Sequence, residues 1–275
     1  SKKMGVEVKP FFASDYAGII QAMRFDKVDV AWYGNKSAIE AVDRSGGEVF
    51  AQTVDNEGNP GYWSLLLAHK DSKLNSVEDI IKYKGELTFG NGDPNSTSGF
   101  LVPSYYVFAK NDLDPKKAFK RVTNANHETN ALSVANQKVD FATNNTENLR
   151  RIEEKFPEKF ENIKVIWQSP LIPSDPIVWR KNLPESAKTK IYDFFMTYGK
   201  SGDKEELANL DRLQWLPFRA SSDDQLLPIR QLSLFKDRLK MIKSGSQDPM
   251  ALAEIDEKLA VLNRRMAALS VLASN

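Results

Sequence analysis

Ser96, Thr97 and Ser98 are three consecutive hydroxyls. They stand inside LTFGNGDPNSTSGFLVPSYYVF, residues 87–108, which reads as a short strand, a loop rich in Gly, Asn and Pro, and an apolar helical run. Hydroxyls at a helix start lie beside backbone N–H groups that have no intrahelical partner, at the positive end of the macrodipole. Such a start attracts anions. The loop lacks the Lys and the glycine spacing of a nucleotide P-loop, so it reads as a holder for a small tetrahedral oxyanion. One hydroxyl alone would be a plain N-cap. Three in a row after Gly90 and Gly92 leave cap and anion site evenly matched on these residues alone.

The other chemically distinctive residues are Tyr16, His127 and Glu147. An acid such as Glu147 in a first helical turn also favours the dipole without any ligand. Each of the three follows a short apolar stretch and opens a helical one. Strand readings at 6–12, 28–32, 49–53, 62–69, 87–89, 121–124, 139–142, 164–168 and 177–180 alternate with helical stretches. That order predicts an α/β fold with mainly parallel sheets. In such folds ligands bind beyond the carboxyl ends of strands, where these residues lie. One pocket can collect them if two α/β lobes face each other. The segment SPLIPSDP, residues 169–176, reads as a proline-stiffened return crossover that places Asp175 near a hinge.

Composition narrows the classes. The chain has 275 residues, of which 41% are apolar, enough for one large domain or two modest ones. A net charge of +1 gives no general case for a nucleic-acid or membrane partner. With no cysteine, disulfides, thiolate catalysis and Cys-based zinc sites are excluded. His69 and His127 are the only histidines, and no His/Asp cluster at metal spacing is read. No apolar run reaches transmembrane length. Ser1 to Gly5 reads as the tail of a helix, so a first βα unit is expected ahead of it.

At the other end two long helical stretches run from Pro228 to Asn275. Leu252, Ile255, Leu259, Leu262, Met266 and Leu269 recur at spacings of three and four, an a/d-like stripe. It either packs on its own lobe or pairs with a second copy. Residues 245–248 ahead of Pro249 would let the last helix project.

Taken together, several segments resemble the phosphonate-binding proteins of bacterial ABC importers. They are DYAGIIQ at 15–21, DVAWYGN at 29–35, NPGYWS at 59–64, FGNGDPNSTSGFLVP at 89–103, HETNAL at 127–132, ATNNTENL at 142–149 and DPIVWRKNL at 175–183. They cover most of residues 5–235 in the expected order. The tail from about Lys243 matches only in helical character. The resemblance implies a type II periplasmic binding protein: two α/β lobes, a two-strand hinge and a ligand clamped between the lobes. The lobes are expected at 1–69 with 177–242 and at 70–176, followed by a C-terminal helix at 243–275. Family members also carry a secretion signal and a first βα unit.

The resemblance further implies that Tyr16, Ser96, Thr97, Ser98 and His127 hold the phosphonate group. It implies that Tyr62, Glu147 and Asp175 hold the amine of 2-aminoethylphosphonate. The chemistry is compatible. Hydroxyls, backbone N–H groups and a His donor suit an anion with three acceptor oxygens. Two carboxylates suit an ammonium, and a tyrosine ring can add its face. The expected protein is a periplasmic solute-binding component that delivers its cargo to permease subunits, with no cofactor and no metal. It is also expected to form a homodimer through the C-terminal helix. Two other functions stay open: a scaffold tuned to phosphate, phosphite or methylphosphonate, and an enzyme acting on a phosphonate or phosphate ester. An apolar wall in place of Glu147 and Asp175 would mark the first. A nucleophile with its base would mark the second.

Overall fold

The computed structural model describes residues 1–245 and 248–273. Its elements are α1 (Tyr16–Arg24), β1 (Val30–Trp32), α2 (Asn35–Arg44), β2 (Gly47–Asp55), β3 (Gly61–Tyr62), β4 (Ser64–His69), α3 (Val77–Tyr83) and β5 (Thr88–Asn91). Wide, π-type helical turns follow at Thr97–Leu101 and Ser104–Ala109. Then come α4 (Pro115–Ala118), β6 (Arg121–Asn124), α5 (His127–Ala135), β7 (Phe141–Asn145), α6 (Thr146–Lys155), α7 (Pro157–Phe160), β8 (Ile163–Gln168) and β9 (Ile172–Pro173). The chain closes with β10 (Pro176–Arg180), α8 (Glu185–Thr197), α9 (Lys204–Arg212), β11 (Trp215–Ala220), α10 (Leu227–Lys243) and α11 (Pro249–Ala273).

Two compact units emerge. The first comprises 1–63, 95–97 and 170–226; the second comprises 64–94, 98–169 and 227–275. The boundaries differ from the predicted lobes because of pairing. Residues 62–69 break at Trp63: β3 pairs with β9, whereas β4 pairs with β7 and β8. β4 therefore belongs to the second unit, and so does α10, which was expected with the first lobe.

The first unit's main sheet has the order β1-β10-β2-β11, and all its pairings are antiparallel. The predicted parallel character fails here for a topological reason. β1 and β2 run the same way, but β10, arriving after the crossover, inserts between them in the opposite sense. β10 sends Val178 to one core, with Met23, Tyr33 and Leu226, and Ile177 to another, with Phe50, Trp215 and Phe218.

The second unit's sheet has the order β6-β5-β7-β4-β8. β5 is parallel to β6 and β7, as expected of βα units, while β4 is antiparallel to β7 and β8. β4 reads SLLLAH, an apolar run flanked by strands on both sides, as a strand buried on both faces requires. Leu66 packs with Phe89, Phe108 and Phe141; Leu65 and Leu67 pack with Val134 and Ile152 on the other face.

Two further expectations change. Residues 6–12 form no strand, and Val6, Val8, Phe11 and Phe12 are exposed. Among the described residues no strand pairs with them, so alternation alone does not make them one. The stripe on α11 is covered by the same chain: α11 packs along α10. Gln231 donates to Asn263 at 2.6 Å and Arg238 to Asp256 at 2.7 Å. These bonds step seven residues down one helix and seven up the other, the register of an antiparallel pair. Leu259 is buried and the other stripe residues are half-buried. The premise of a bare apolar strip is thereby removed, because α10 supplies the covering face. Of the predicted link at 245–248, Ser246 and Gln247 lie outside the described residues.

Candidate functional site

In the first unit the predicted residues gather at strand and helix ends. Asp175 immediately precedes β10, and its carbonyl accepts the Thr53 N–H at 2.9 Å. Its carboxylate is held on both oxygens. Tyr62 Oη donates to Oδ1 at 3.0 Å, and Trp32 Nε1 donates to Oδ2 at 2.9 Å. Asp175 and Tyr62 are buried. Each oxygen therefore has its own fixed donor, and the carboxylate is oriented.

Tyr16 opens α1, whose N-cap is Asp15, accepting from the Gly18 N–H. Its ring and the Thr97 hydroxyl flank Gly34: a Cβ there would lie 3.3 Å from Thr97 Oγ1 and 3.9 Å from the Tyr16 ring. Gly34 is the N-cap of α2 and has no side chain to cap with. Thr97 supplies the cap from far along the chain, its Oγ1 accepting the Lys36 N–H at 2.8 Å. The cap and anion readings of the hydroxyl loop are therefore compatible in one residue. A hydroxyl that accepts from an N–H keeps its own proton to donate elsewhere. Ser96 and Thr97 are both buried.

In the second unit Ser98, His127 and Glu147 are linked through Asn144 and Asn145. Asn145 Nδ2 donates to Ser98 Oγ at 3.1 Å, and its Oδ1 caps α6 by accepting the Asn148 N–H at 2.7 Å. Glu147 sits buried in the first turn of that helix. Asn144 Nδ2 donates to the His127 carbonyl at 2.8 Å. Ser64 Oγ donates to the Ser98 carbonyl at 2.6 Å. Buried Asn130 spans Gly90 and Asn91, its Nδ2 donating to their carbonyls at 3.2 and 3.0 Å. The loop closes where the Gly92 N–H donates to the Gly99 carbonyl at 3.0 Å. A Cβ on Gly92 would meet that oxygen at 2.4 Å, which reserves the position for glycine.

His127 opens α5, capped by Asn126. Its Nδ1 is buried without a hydrogen-bond partner. Burial, and then the positive charge of Arg151, lower its pKa from 6.5 to about 4. The imidazole is thus neutral near pH 7. With its proton on Nε2, the buried orphan is a lone pair rather than an N–H, the less costly choice, and Nε2 becomes the donor.

Trp32, Ser64, Asn130, Asn144 and Asn145 were absent from the sequence-derived set. The doublet Asn144–Asn145 at the end of β7, before a helical run, is a signal that could have found the last two, because Asn both caps and cross-links. Nothing local marks Trp32. Among the described residues no group of three or more His, Asp and Glu side chains could hold a metal. Among the described residues no helix is long and apolar enough to cross a membrane.

Comparison with known proteins gives the context for this chemistry. Residues 1–226 match the family described as ABC transporter, phosphonate, periplasmic substrate-binding protein. The phosphonates-binding periplasmic protein of Escherichia coli K12 is 62% identical over 278 residues, covering 99% of this chain and 81% of that protein. A binding-protein component of an ABC phosphonate transporter from Pseudomonas aeruginosa superposes with a TM-score of 0.94 at 58% identity, covering 98% and 90% of the two chains. A Prochlorococcus marinus protein solved with methylphosphonate shares the fold, with a TM-score of 0.74 at 21% identity over 84% and 86% of the chains. The two-lobed α/β architecture is that of type II periplasmic binding proteins. The chain belongs to the family of periplasmic phosphonate-binding proteins of ABC transporters.

Proposed function

We propose that this chain captures 2-aminoethylphosphonate in the periplasm and delivers it to the permease of an ABC importer. The observation that carries this reading is that each unit buries hydroxyl and acid together: Ser96, Thr97 and Asp175 in the first, Ser98 and Glu147 in the second. A site for phosphate or methylphosphonate alone would gain nothing from buried acids, since a carboxylate repels an anion. A ligand with an anionic and a cationic end uses both sets. Tyr16, Ser96, Thr97, Ser98 and His127 serve the phosphonate; Tyr62, Glu147 and Asp175 serve the amine. The role is binding without turnover, since Ser96 and His127 act as donors to an anion rather than as a nucleophile and its base.

Titration calorimetry of phosphate, methylphosphonate, ethylphosphonate and 2-aminoethylphosphonate tests the reading. The aminated ligand should bind tightest. Equal affinity for ethylphosphonate and 2-aminoethylphosphonate would replace it with a receptor for simple phosphonates, phosphite or phosphate. Replacing Ser96 or Thr97 by alanine should each weaken binding by about 1.5–3 kcal/mol, the range for hydrogen bonds to charged groups. A doubly substituted protein with full affinity would dismiss the hydroxyl loop. The homodimer keeps one support, the exposed Met250, Val261, Val271 and Leu272 on α11. Light scattering at about twice the chain mass would establish it, and a monomer at high micromolar concentration would end it.

A further inference from the structure

We infer that Trp32 is a positioning residue for ligand discrimination: its Nε1–H fixes one oxygen of the Asp175 carboxylate, so that the other groups around that carboxylate meet an ammonium in a set direction. This deepens the amine reading above and rests on it.

Three observations converge on Trp32. Its indole N–H points at Asp175 Oδ2 at 2.9 Å, across 143 residues of sequence. The opposite oxygen takes the Tyr62 hydroxyl at 3.0 Å. The indole is itself braced, edge-on against Trp215, with ring centroids 4.9 Å apart at 87°. Trp215 is buried, and its own ring packs on Phe218.

Trp32 nevertheless remains 48% exposed. Burial of a hydrophobic ring therefore does not explain its place at the end of the three-residue strand β1. A phenylalanine would serve a purely apolar contact with Trp215. What only the indole offers is a fixed N–H, and a carboxylate held by two rigid aromatic donors cannot swing. A charge-assisted hydrogen bond is strong and directional, and preorganising an acceptor lowers the cost of binding.

Isotope-labelled NMR and calorimetry test this together, using the full chain. Trp32→Phe should weaken 2-aminoethylphosphonate about tenfold, the low end for a hydrogen bond to a charged group, and leave ethylphosphonate within roughly twofold. Added to Asp175→Asn, it should cost little more, because the indole acts through that carboxylate. In the unsubstituted protein the Trp32 indole N–H resonance, assigned by its loss in Trp32→Phe, should move with 2-aminoethylphosphonate and with Asp175→Asn. Equal weakening of both ligands by Trp32→Phe, an additive double variant, or an indole resonance blind to Asp175→Asn would each overturn the assignment. If Asp175→Asn itself fails to separate the two ligands, the amine reading falls and takes this inference with it. If Asp175→Asn separates them and Trp32→Phe does not, only the inference falls.

Discussion

The two units hold their functional side chains by different means. In the first unit, the Asp175 carboxylate takes side-chain donors, the indole of Trp32 on one oxygen and the phenol of Tyr62 on the other. In the second, Ser98, His127 and the α6 start that carries Glu147 are fixed by asparagine amides bonded largely to backbone. A side-chain clamp can be loosened without touching the fold around it. An amide network is part of the fold: Asn130 satisfies carbonyls on β5, and its Nδ2 also lies 3.5 Å from the Thr143 carbonyl on β7. Substitutions in the side-chain clamp should therefore alter which ligand binds, and those in the amide network should alter whether its unit holds its shape.

The largest effect expected is on stability, from Asn130→Ala. It removes the side-chain donor to the Gly90 and Asn91 carbonyls, the second of which keeps the Ala125 N–H at 3.0 Å. The loss should be about 2–3 kcal/mol, for two buried hydrogen bonds at about 1–1.5 kcal/mol each. Urea unfolding should show a lower midpoint at unchanged slope, and binding of every phosphonate should weaken together. An unchanged midpoint would mean that the amide network is not structural.

Next come the two acids. Glu147→Gln should weaken 2-aminoethylphosphonate by about 2 kcal/mol, roughly thirtyfold, while largely sparing ethylphosphonate. Asp175→Asn should do more. An asparagine must turn its amide nitrogen toward one of two donors, the Trp32 N–H or the Tyr62 hydroxyl, so the clamp is lost along with the charge. Calorimetry with both ligands separates the cases. Equal losses for both ligands would remove the acid from the amine end.

How far the sequence reaches follows the same division. The hydroxyl loop was legible because Ser and Thr after a glycine-rich turn have few uses. Asp175 stands out in sequence as an acid before proline, but its partners lie 113 and 143 residues away, and no local pattern encodes them. β10 defeats the parallel-sheet expectation for that reason too. Alternation identifies a strand but not the neighbour it inserts between, and β1 and β2 become non-adjacent only because β10 comes back after the crossover. Residues 6–12 show the converse, a strand-like pattern that pairs with no strand among the described residues. The spacing of the α11 stripe marks a packing face but not its partner: a second copy was expected, and the structure gives it α10 of the same chain.

His127 gives a pH test that belongs to the second unit alone. Its pKa falls from 6.5 to about 4 on folding. Between those values the unfolded chain binds a proton that the folded chain refuses, so stability decreases as pH drops through that window. The contribution is complete above pH 6.5 and lost by about pH 4. His127→Gln should flatten this limb, so thermal unfolding curves of the two proteins should diverge between those pH values. Parallel curves would mean that the imidazole titrates normally. A phosphonate held by His127, as proposed above, would favour the charged imidazole, so binding on the acid side should then draw a proton, measurable in buffers of different ionisation enthalpy.

The smallest effect expected concerns Thr97, in the first unit. Its Oγ1 accepts the Lys36 N–H and caps α2, whose own N-cap residue Gly34 has nothing to offer. Thr97→Ala should cost about 1 kcal/mol of stability, as loss of a capping oxygen does. Thr97→Ser keeps the oxygen and should restore it. The same pair of variants separates the cap from the ligand contact. If Thr97 both caps α2 and donates to the anion, alanine lowers stability and affinity, and serine restores both. If serine restores stability but not affinity, the threonine methyl rather than the hydroxyl sets the binding geometry. If alanine lowers only stability, Thr97 is a capping residue and the anion end rests on Ser96, Ser98 and His127.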